Sequence, residues 1–258
     1  RGVMDAPRRV DQALAWARDQ WRDTPGTEPL AAGVLLAHAL DRPRAALLAH
    51  PEMPLTDEQA AQFAALVKRR SAGTPIAYLI GRRPFYDRDF LVTPDVLIPR
   101  PETEHLIDAA LAWARGRGAL LVADIGTGSG AIAVTLAAHL SDARVYAIDC
   151  SPAALDVARQ NAERAGVSGR VTFHQGDLMA PLLAQGKPLD LIAANLPYIP
   201  TADLAALDVA RQEPVLALDG GPDGLDAIRR LLAQAPRALA ASGLILLEIG
   251  AGQGEAAA

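Results

Sequence analysis

From residue 99 onward the sequence alternates short apolar runs with amphipathic or alanine-rich stretches, and that alternation leaves few folds open. Leu120–Ile125, Arg144–Asp149, Val171–His174, Leu189–Ala194 and Leu244–Ile249 have the length and apolar content of buried strands. Between them, Ala131–Leu140, Ala153–Ala165 and Ala227–Leu239 read as helices. Strands that alternate with helices need crossover connections, so the expected architecture is α/β, built on a parallel, doubly wound sheet. Sheets of this kind bind their ligands at the carboxyl ends of the strands.

Two segments stand at such strand ends. The first is a glycine turn, Asp124-Ile125-Gly126-Thr127-Gly128-Ser129-Gly130, which follows one strand and opens a helix. Without side chains, its glycines let the backbone come close to a ligand. The spacing also satisfies the loose dinucleotide fingerprint, with Asp149 lying 23 residues after Gly126. The turn by itself therefore fits a nicotinamide dinucleotide and S-adenosylmethionine alike. Asp149 ends the next strand, where a carboxylate can accept both ribose hydroxyls or can cap the helix that follows. Asp124 is unusual for a dinucleotide site. A carboxylate there can face a cationic amino acid moiety, which tilts the balance toward S-adenosylmethionine. Asp177 is expected to end the third strand and reach an adenine amine, with Leu178 packing on the ring; a plain turn carboxylate after Gly176 is the alternative. His174 reads as structural, and nothing nearby points to a metal.

The second segment is Asn195-Leu196-Pro197-Tyr198 at the end of the run 189–194. The Asn195 side-chain oxygen and the Leu196 carbonyl can hold the two N–H groups of a planar amino or amide nitrogen and aim its lone pair at an electrophilic methyl. Tyr198 can stack on the planar group. Each such hydrogen bond contributes about 1 kcal/mol. Placing the reactants for in-line transfer contributes roughly 7–11 kcal/mol, so placement dominates and no strong general base is required.

The first part of the chain has a different character. Residues 8–72 read as a helical bundle: Val10, Leu14, Ala17 and Trp21 fall at helical spacing, Pro25-Gly26 breaks that helix, and Thr56 with Gln59 forms a capping-box pattern. Residues 74–98 read as a short hairpin linker built on Tyr78-Leu79-Ile80, Phe85-Tyr86 and Phe90-Leu91-Val92. The expected domains are thus 1–73, 74–98 and 99–258. The chain of 258 residues carries a net charge of −5, with 12 Lys+Arg against 18 Asp+Glu after residue 98. A general nucleic-acid coat needs a basic surface instead. One cysteine, Cys150, excludes an internal disulfide, and no apolar run of about eighteen residues offers a membrane span. The first residues are too charged for a secretory signal, so a cytoplasmic location is expected.

With these segments in view, the chain resembles the HemK/PrmC family, the release-factor glutamine methyltransferases, from about residue 8 to residue 253. The resemblance extends to Gly73-Thr-Pro-Ile-Ala-Tyr-Leu-Ile-Gly81, Phe85-Tyr86 and Leu97-Ile-Pro-Arg-Pro-Glu-Thr-Glu104. It continues in Asp149-Cys-Ser-Pro152, Glu213-Pro214, Gly220-Gly-Pro-Asp-Gly224 and Leu247-Glu-Ile-Gly250. It implies a Rossmann-like class I methyltransferase domain preceded by a helical domain that helps to engage the release factor. The implied reaction moves a methyl from S-adenosylmethionine, leaving S-adenosylhomocysteine, to the glutamine side chain of a Gly-Gly-Gln motif. Carried over by position, Asp124, Gly126, Thr127, Gly128, Ser129, Gly130, Asp149, Asp177, Leu178 and Asn195 would line the cofactor. Asn195, Leu196, Pro197 and Tyr198 would hold the glutamine, with Asn195 and Tyr198 as the catalytic pair. The segment Arg100–Glu104 would close over the cofactor.

Two departures accompany the resemblance. The family has Asn-Pro-Pro-Tyr where this chain has Leu196, which keeps the carbonyl but loses the fixed φ of proline. The family also continues after the strand at 244–249 through a helix and an antiparallel strand pair, which lie beyond this sequence; were this the whole polypeptide, an uncovered sheet edge would be expected, and a trimmed sequence is the simpler explanation. Other readings of the same residues are a methyltransferase for exocyclic amines of DNA or RNA bases, a dinucleotide-dependent oxidoreductase, and a binding module that has lost activity.

Overall fold

The computed structural model describes residues 8–22, 29–186 and 188–257; the helix break expected at Pro25-Gly26 lies outside them. The chain divides into two compact units, Arg1–Gly81 and Arg82–Ala258.

The first unit is helical: α1 (Val10–Gln20), α2 (Pro29–Leu40), α3 (Arg44–Ala49), α4 (Asp57–Ser71) and α5 (Ile76–Ile80). Its core gathers Val10, Ala13, Ala17, Trp21, Leu35, Leu36, Phe63 and Val67. The capping box at the start of α4 is present: Thr56 Oγ1 accepts the Gln59 amide, and Gln59 Oε1 accepts the Thr56 amide. Tyr78-Leu79-Ile80, read from sequence as β-rich, is helical instead. Pro75 starts a single turn, and Gly81 ends it at φ +70°.

The second unit opens with a hairpin, β1 (Arg82–Phe85) and β2 (Arg88–Leu91), followed by α6 (Thr103–Ala114). There follow β3 (Leu121–Ile125), α7 (Ala131–His139), β4 (Arg144–Asp149), α8 (Pro152–Arg164), β5 (Val171–Gln175) and α9 (Ala180–Leu183). The chain continues through β6 (Leu189–Asn195), α10 (Thr201–Leu204), α11 (Asp226–Gln234), β7 (Leu239–Glu248) and α12 (Gly254–Ala257). The expected helix to Leu239 stops early, because Pro236 removes an amide that a further α-turn would need. The last strand accordingly begins at Leu239 rather than Leu244.

Strands β3 to β7 form one parallel sheet in the order β5-β4-β3-β6-β7, with β5 and β7 at its edges. Alternate residues feed two cores. Val122, Val145, Ala147, Leu191 and Ala193 pack with α6 and α7, while Ala123, Ile125, Ile148, Ile192 and Ala194 pack with α9 and α11. Because the chain enters at the centre and winds out through β4 and β5 before crossing to β6, the switch point falls between β3 and β6. Both segments singled out from sequence end there, on strands paired Ile125 to Ala194. Among the described residues, no helix is long and apolar enough to cross a membrane.

Besides Phe85 and Phe90, which pack into the sheet's core, one buried polar side chain fastens the hairpin. Asn161 of α8 accepts the Leu91 amide at 2.7 Å and donates to the carbonyls of Leu91 and Ser129, both at 2.9 Å. It is 3% exposed. Asn161→Ala leaves three backbone groups without a partner at a site closed to water, so we expect a loss of about 3 kcal/mol, measured as a lower denaturation midpoint in urea. A midpoint equal to wild type would show that water replaces the amide at no cost.

Candidate active site

A cavity of about 470 Å³ opens above the switch point, a size ordinary for a small-molecule site (~300–1,000 Å³). Gly126, Thr127, Gly128 and Ser129 line it from β3; Asp149 lines it from β4. Asp177 and Leu178 come from the loop after β5, and Asn195, Leu196 and Pro197 from the end of β6. Pro99, Arg100 and Thr103 form a further wall, so the segment before α6 does border the space. Asp124, Gly130 and Tyr198 do not line it.

The turn after β3 is held by bonds that consume its own amides. Gly126 and Thr127 both donate to the Ile148 carbonyl at 2.9 Å, and Gly130 donates to Thr127. The Gly128 amide donates to Asp149 Oδ2 at 2.9 Å. A pyrophosphate would need such amides pointed at it and would face the Asp149 carboxylate, so the geometry disfavours the dinucleotide reading. Asp149 Oδ1 accepts the Ser151 amide at 2.9 Å. Each carboxylate oxygen has a second lone pair, which leaves capacity for a pair of ribose hydroxyls. The helix-cap role weighed for Asp149 is taken by Ser151, whose Oγ accepts the Ala154 amide.

Asp124 sits beneath the turn rather than on the cavity wall. It is fully buried, and its Oδ2 accepts both the Thr127 hydroxyl at 2.6 Å and the Ala133 amide at 2.9 Å. Burial is the main reason its carboxyl is pushed from an ordinary 3.8 up to about 7; its two hydrogen bonds act against this, and Asp149 adds to it. Between those values the folded protein holds a proton that the unfolded chain has released. Stability therefore falls as pH rises from about 4 to about 7, by up to ~1.4 kcal/mol per pH unit. Asp124→Asn keeps an acceptor for both donors without the titration. Its thermal midpoint is expected to drop less than that of wild type between pH 5 and pH 8; parallel profiles would count against a titrating Asp124.

Asp177 is exposed and paired with Arg230 of α11, a partner the sequence did not reveal. Leu178 beside it is buried and held at φ +49°, a backbone strain of the kind found at binding sites. Burial, followed by the nearby Asp149, raises the Cys150 thiol, so this cavity residue stays protonated at neutral pH and is a poor nucleophile. His174 lies against Tyr146 with ring centroids 5.9 Å apart, a packing role.

At the other side of the switch point, the buried Leu196 side chain packs directly over Gly126. A Cβ added at Gly126 would meet Leu196 Cδ2 at 3.0 Å. The residue that departs from the family pattern thus fills the space that glycine leaves. Asn195 Nδ2 donates to Thr103 Oγ1 at 3.0 Å, and among the described residues no donor reaches its Oδ1. The Tyr198 hydroxyl donates to Glu248 Oε1 at 3.5 Å, and its carbonyl accepts from Gln253 Nε2 at 3.0 Å. Glu213, buried at 7% exposure, accepts the Ile98 amide at 3.0 Å and pairs with Arg100 at 2.7 Å. Thr103, Glu213 and Glu248 all stand in segments that carried the family resemblance. Sequence gave them no role of their own, because their partners lie far along the chain.

A parallel sheet wound outward from its middle strand, with a tightly bonded glycine turn and an acid at the next strand's tip, is the Rossmann-like fold of the S-adenosylmethionine-dependent methyltransferases. A family model for the PrmC N-terminal domain matches residues 12–81, and a methyltransferase domain model matches residues 122–220. A release factor glutamine methyltransferase of Moorella thermoacetica is 51% identical over 88% of this chain and 80% of that protein. One from Bacillus anthracis is 41% identical over 96% and 88%. Among solved structures, a SAM-dependent methyltransferase from Geobacter sulfurreducens in complex with S-adenosyl-L-homocysteine is 26% identical, covers 57% of this chain and 47% of that chain, and has a TM-score of 0.37. The chain belongs to the release factor glutamine methyltransferase family.

Proposed function

We propose that this protein methylates the side-chain amide nitrogen of the glutamine in the Gly-Gly-Gln motif of a peptide chain release factor. The observation that carries the reading is the Asn195 amide, whose nitrogen is held by Thr103 while its oxygen is left to accept. An acceptor fixed at the rim of a nucleotide-sized cavity is complementary to an NH₂ group. The residues present also fit S-adenosylmethionine: Asp149 has acceptor capacity for a ribose, Leu178 offers an apolar surface for a base, and the glycine turn leaves room for close approach. When bound, that cofactor supplies an electrophilic sulfonium methyl and is released as S-adenosylhomocysteine.

The protein's part is placement. Asn195 Oδ1 and the Leu196 carbonyl take the two N–H groups of the substrate amide, Pro197 shapes the turn, and Tyr198 flanks the planar group. With S-adenosylmethionine bound, this placement would let an N–C bond form as the cofactor's C–S bond breaks, the nitrogen then giving its proton to water. The helical unit helps to engage the release factor, consistent with the family model that covers it. A cytoplasmic location follows from such a substrate. Incubation with a release factor and labelled cofactor, read by peptide mass spectrometry, is expected to place one methyl on that glutamine. Label entering DNA or RNA instead would replace this reading with base methylation.

A further inference from the structure

The Asn195 side chain does not stand alone. Its Nδ2 meets Thr103 Oγ1 at 3.0 Å, and that hydroxyl lies 2.6 Å from Glu248 Oε2. Glu248 faces Asn195 across the β6–β7 pairing, and Thr103 is the first residue of α6, 4% exposed. The directions of these bonds follow from the chemistry of the three groups. A carboxylate only accepts, so the single Thr103 proton points at Glu248. The lone pair left on Oγ1 then faces Asn195 and calls for an N–H. The amide is thereby turned with Nδ2 toward Thr103 and Oδ1 away from it. Glu248 is tied in from its other oxygen by the Tyr198 hydroxyl. Burial, and then Glu248 itself, raise the Tyr198 phenol, so it remains a donor at neutral pH.

We propose that Thr103 and Glu248 are positioning residues that fix which end of the Asn195 amide faces the substrate, and so make the site select a nucleophile that brings N–H donors. The proposal rests on the methyl-transfer reading above. With the order reversed, Asn195 would present its NH₂ and repel the substrate amide it is meant to hold. The relay acts on the geometry of the bound amide, so its loss falls on kcat more than on cofactor binding.

Three variants and three measurements test it. Thr103→Val keeps the shape without the hydroxyl, Thr103→Ser keeps the hydroxyl, and Glu248→Gln can donate to Oγ1 and reverse the relay. Thr103→Val and Glu248→Gln are expected to lower kcat on the release factor by about 100-fold, the scale of a misplaced reacting group, with cofactor affinity by calorimetry unchanged. Thr103→Ser is expected to turn over close to wild type, which a purely structural loss would not predict. Wild-type rates in Thr103→Val and Glu248→Gln would overturn the relay. Exchange of the Asn195 side-chain NH₂ protons, followed by NMR, reads the same relay without activity. One proton is expected to be protected in wild type and exposed in Thr103→Val, and equal exchange in both would overturn the proposal. Should wild type transfer no methyl to glutamine, the methylation reading falls, and the exchange measurement alone decides the relay.

Discussion

Asn195→Ala is expected to slow single-turnover methylation of the release factor by about 100- to 1,000-fold, the range seen when one preorganised hydrogen-bonding group is removed from a reaction centre. Cofactor affinity is expected to weaken by no more than about tenfold, because one hydrogen bond contributes only about 1 kcal/mol. The asymmetry comes from the site's construction. The cofactor side of the cavity is framed by Asp149, Leu178 and the turn after β3, none of which depends on Asn195 for its own bonds. Rapid-quench transfer with labelled cofactor, alongside calorimetry, separates the two quantities. Unchanged transfer in the variant would refute the role given to Asn195.

The second large effect is expected at Gly224, far in sequence from either strand end. Its φ is +81°, and a Cβ there would lie 2.2 Å from the Tyr198 carbonyl oxygen and 2.6 Å from Gln253 Nε2. Those two atoms bond to each other at 3.0 Å. Gly224→Ala therefore imposes a left-handed backbone on a side-chain-bearing residue and drives a methyl into the bond that seats the Tyr198 turn. The left-handed backbone costs about 1–2 kcal/mol and the overpacking about 1–3, so a destabilisation of about 3 kcal/mol is expected, together with loss of activity. Gly166→Ala is the control: φ is +70°, but nothing lies within 4 Å of the added carbon. Urea midpoints for the two variants isolate the contact from the backbone strain. Equal losses would remove the steric part of the argument.

What could be read from sequence was what depends on neighbours in the chain. The strand–helix alternation, the glycine turn and the Thr56–Gln59 box are local patterns, and each appears where its spacing puts it. Local patterns also misled. Tyr78-Leu79-Ile80 has strand-like composition, yet Pro75 and Gly81 bracket it as one helical turn. The early half of β7, Leu239-Ala-Ala-Ser-Gly243, carries too few bulky residues to announce a strand; only Leu239 pairs with β6 there, opposite Leu189, before an irregularity that brings Leu244 opposite Leu191. The support around Asn195 was invisible for a different reason. Thr103 is 92 residues from Asn195 and 145 from Glu248, and only the register of β6 with β7 and the start of α6 bring the three together. Asp124 shows the limit of reasoning by residue type. The carboxylate is where the sequence puts it, but the pleat turns it under the helix that follows, where it holds Thr127 and Ala133.

The order in which the chain visits the sheet has a kinetic consequence. The glycine turn and the Asn195 segment stand on adjacent strands, β3 and β6, yet the chain between them carries β4, β5 and their helices, so the two meet only by closing a long loop. Closing so long a loop is slow compared with the local hairpins and helices around it. During refolding from urea, recovery of ligand affinity is thus expected to report the β3–β6 pairing and to arrive after helical signal has returned. Intermediates with only the first half of the sheet hold one wall and cannot sequester the methyl donor unproductively.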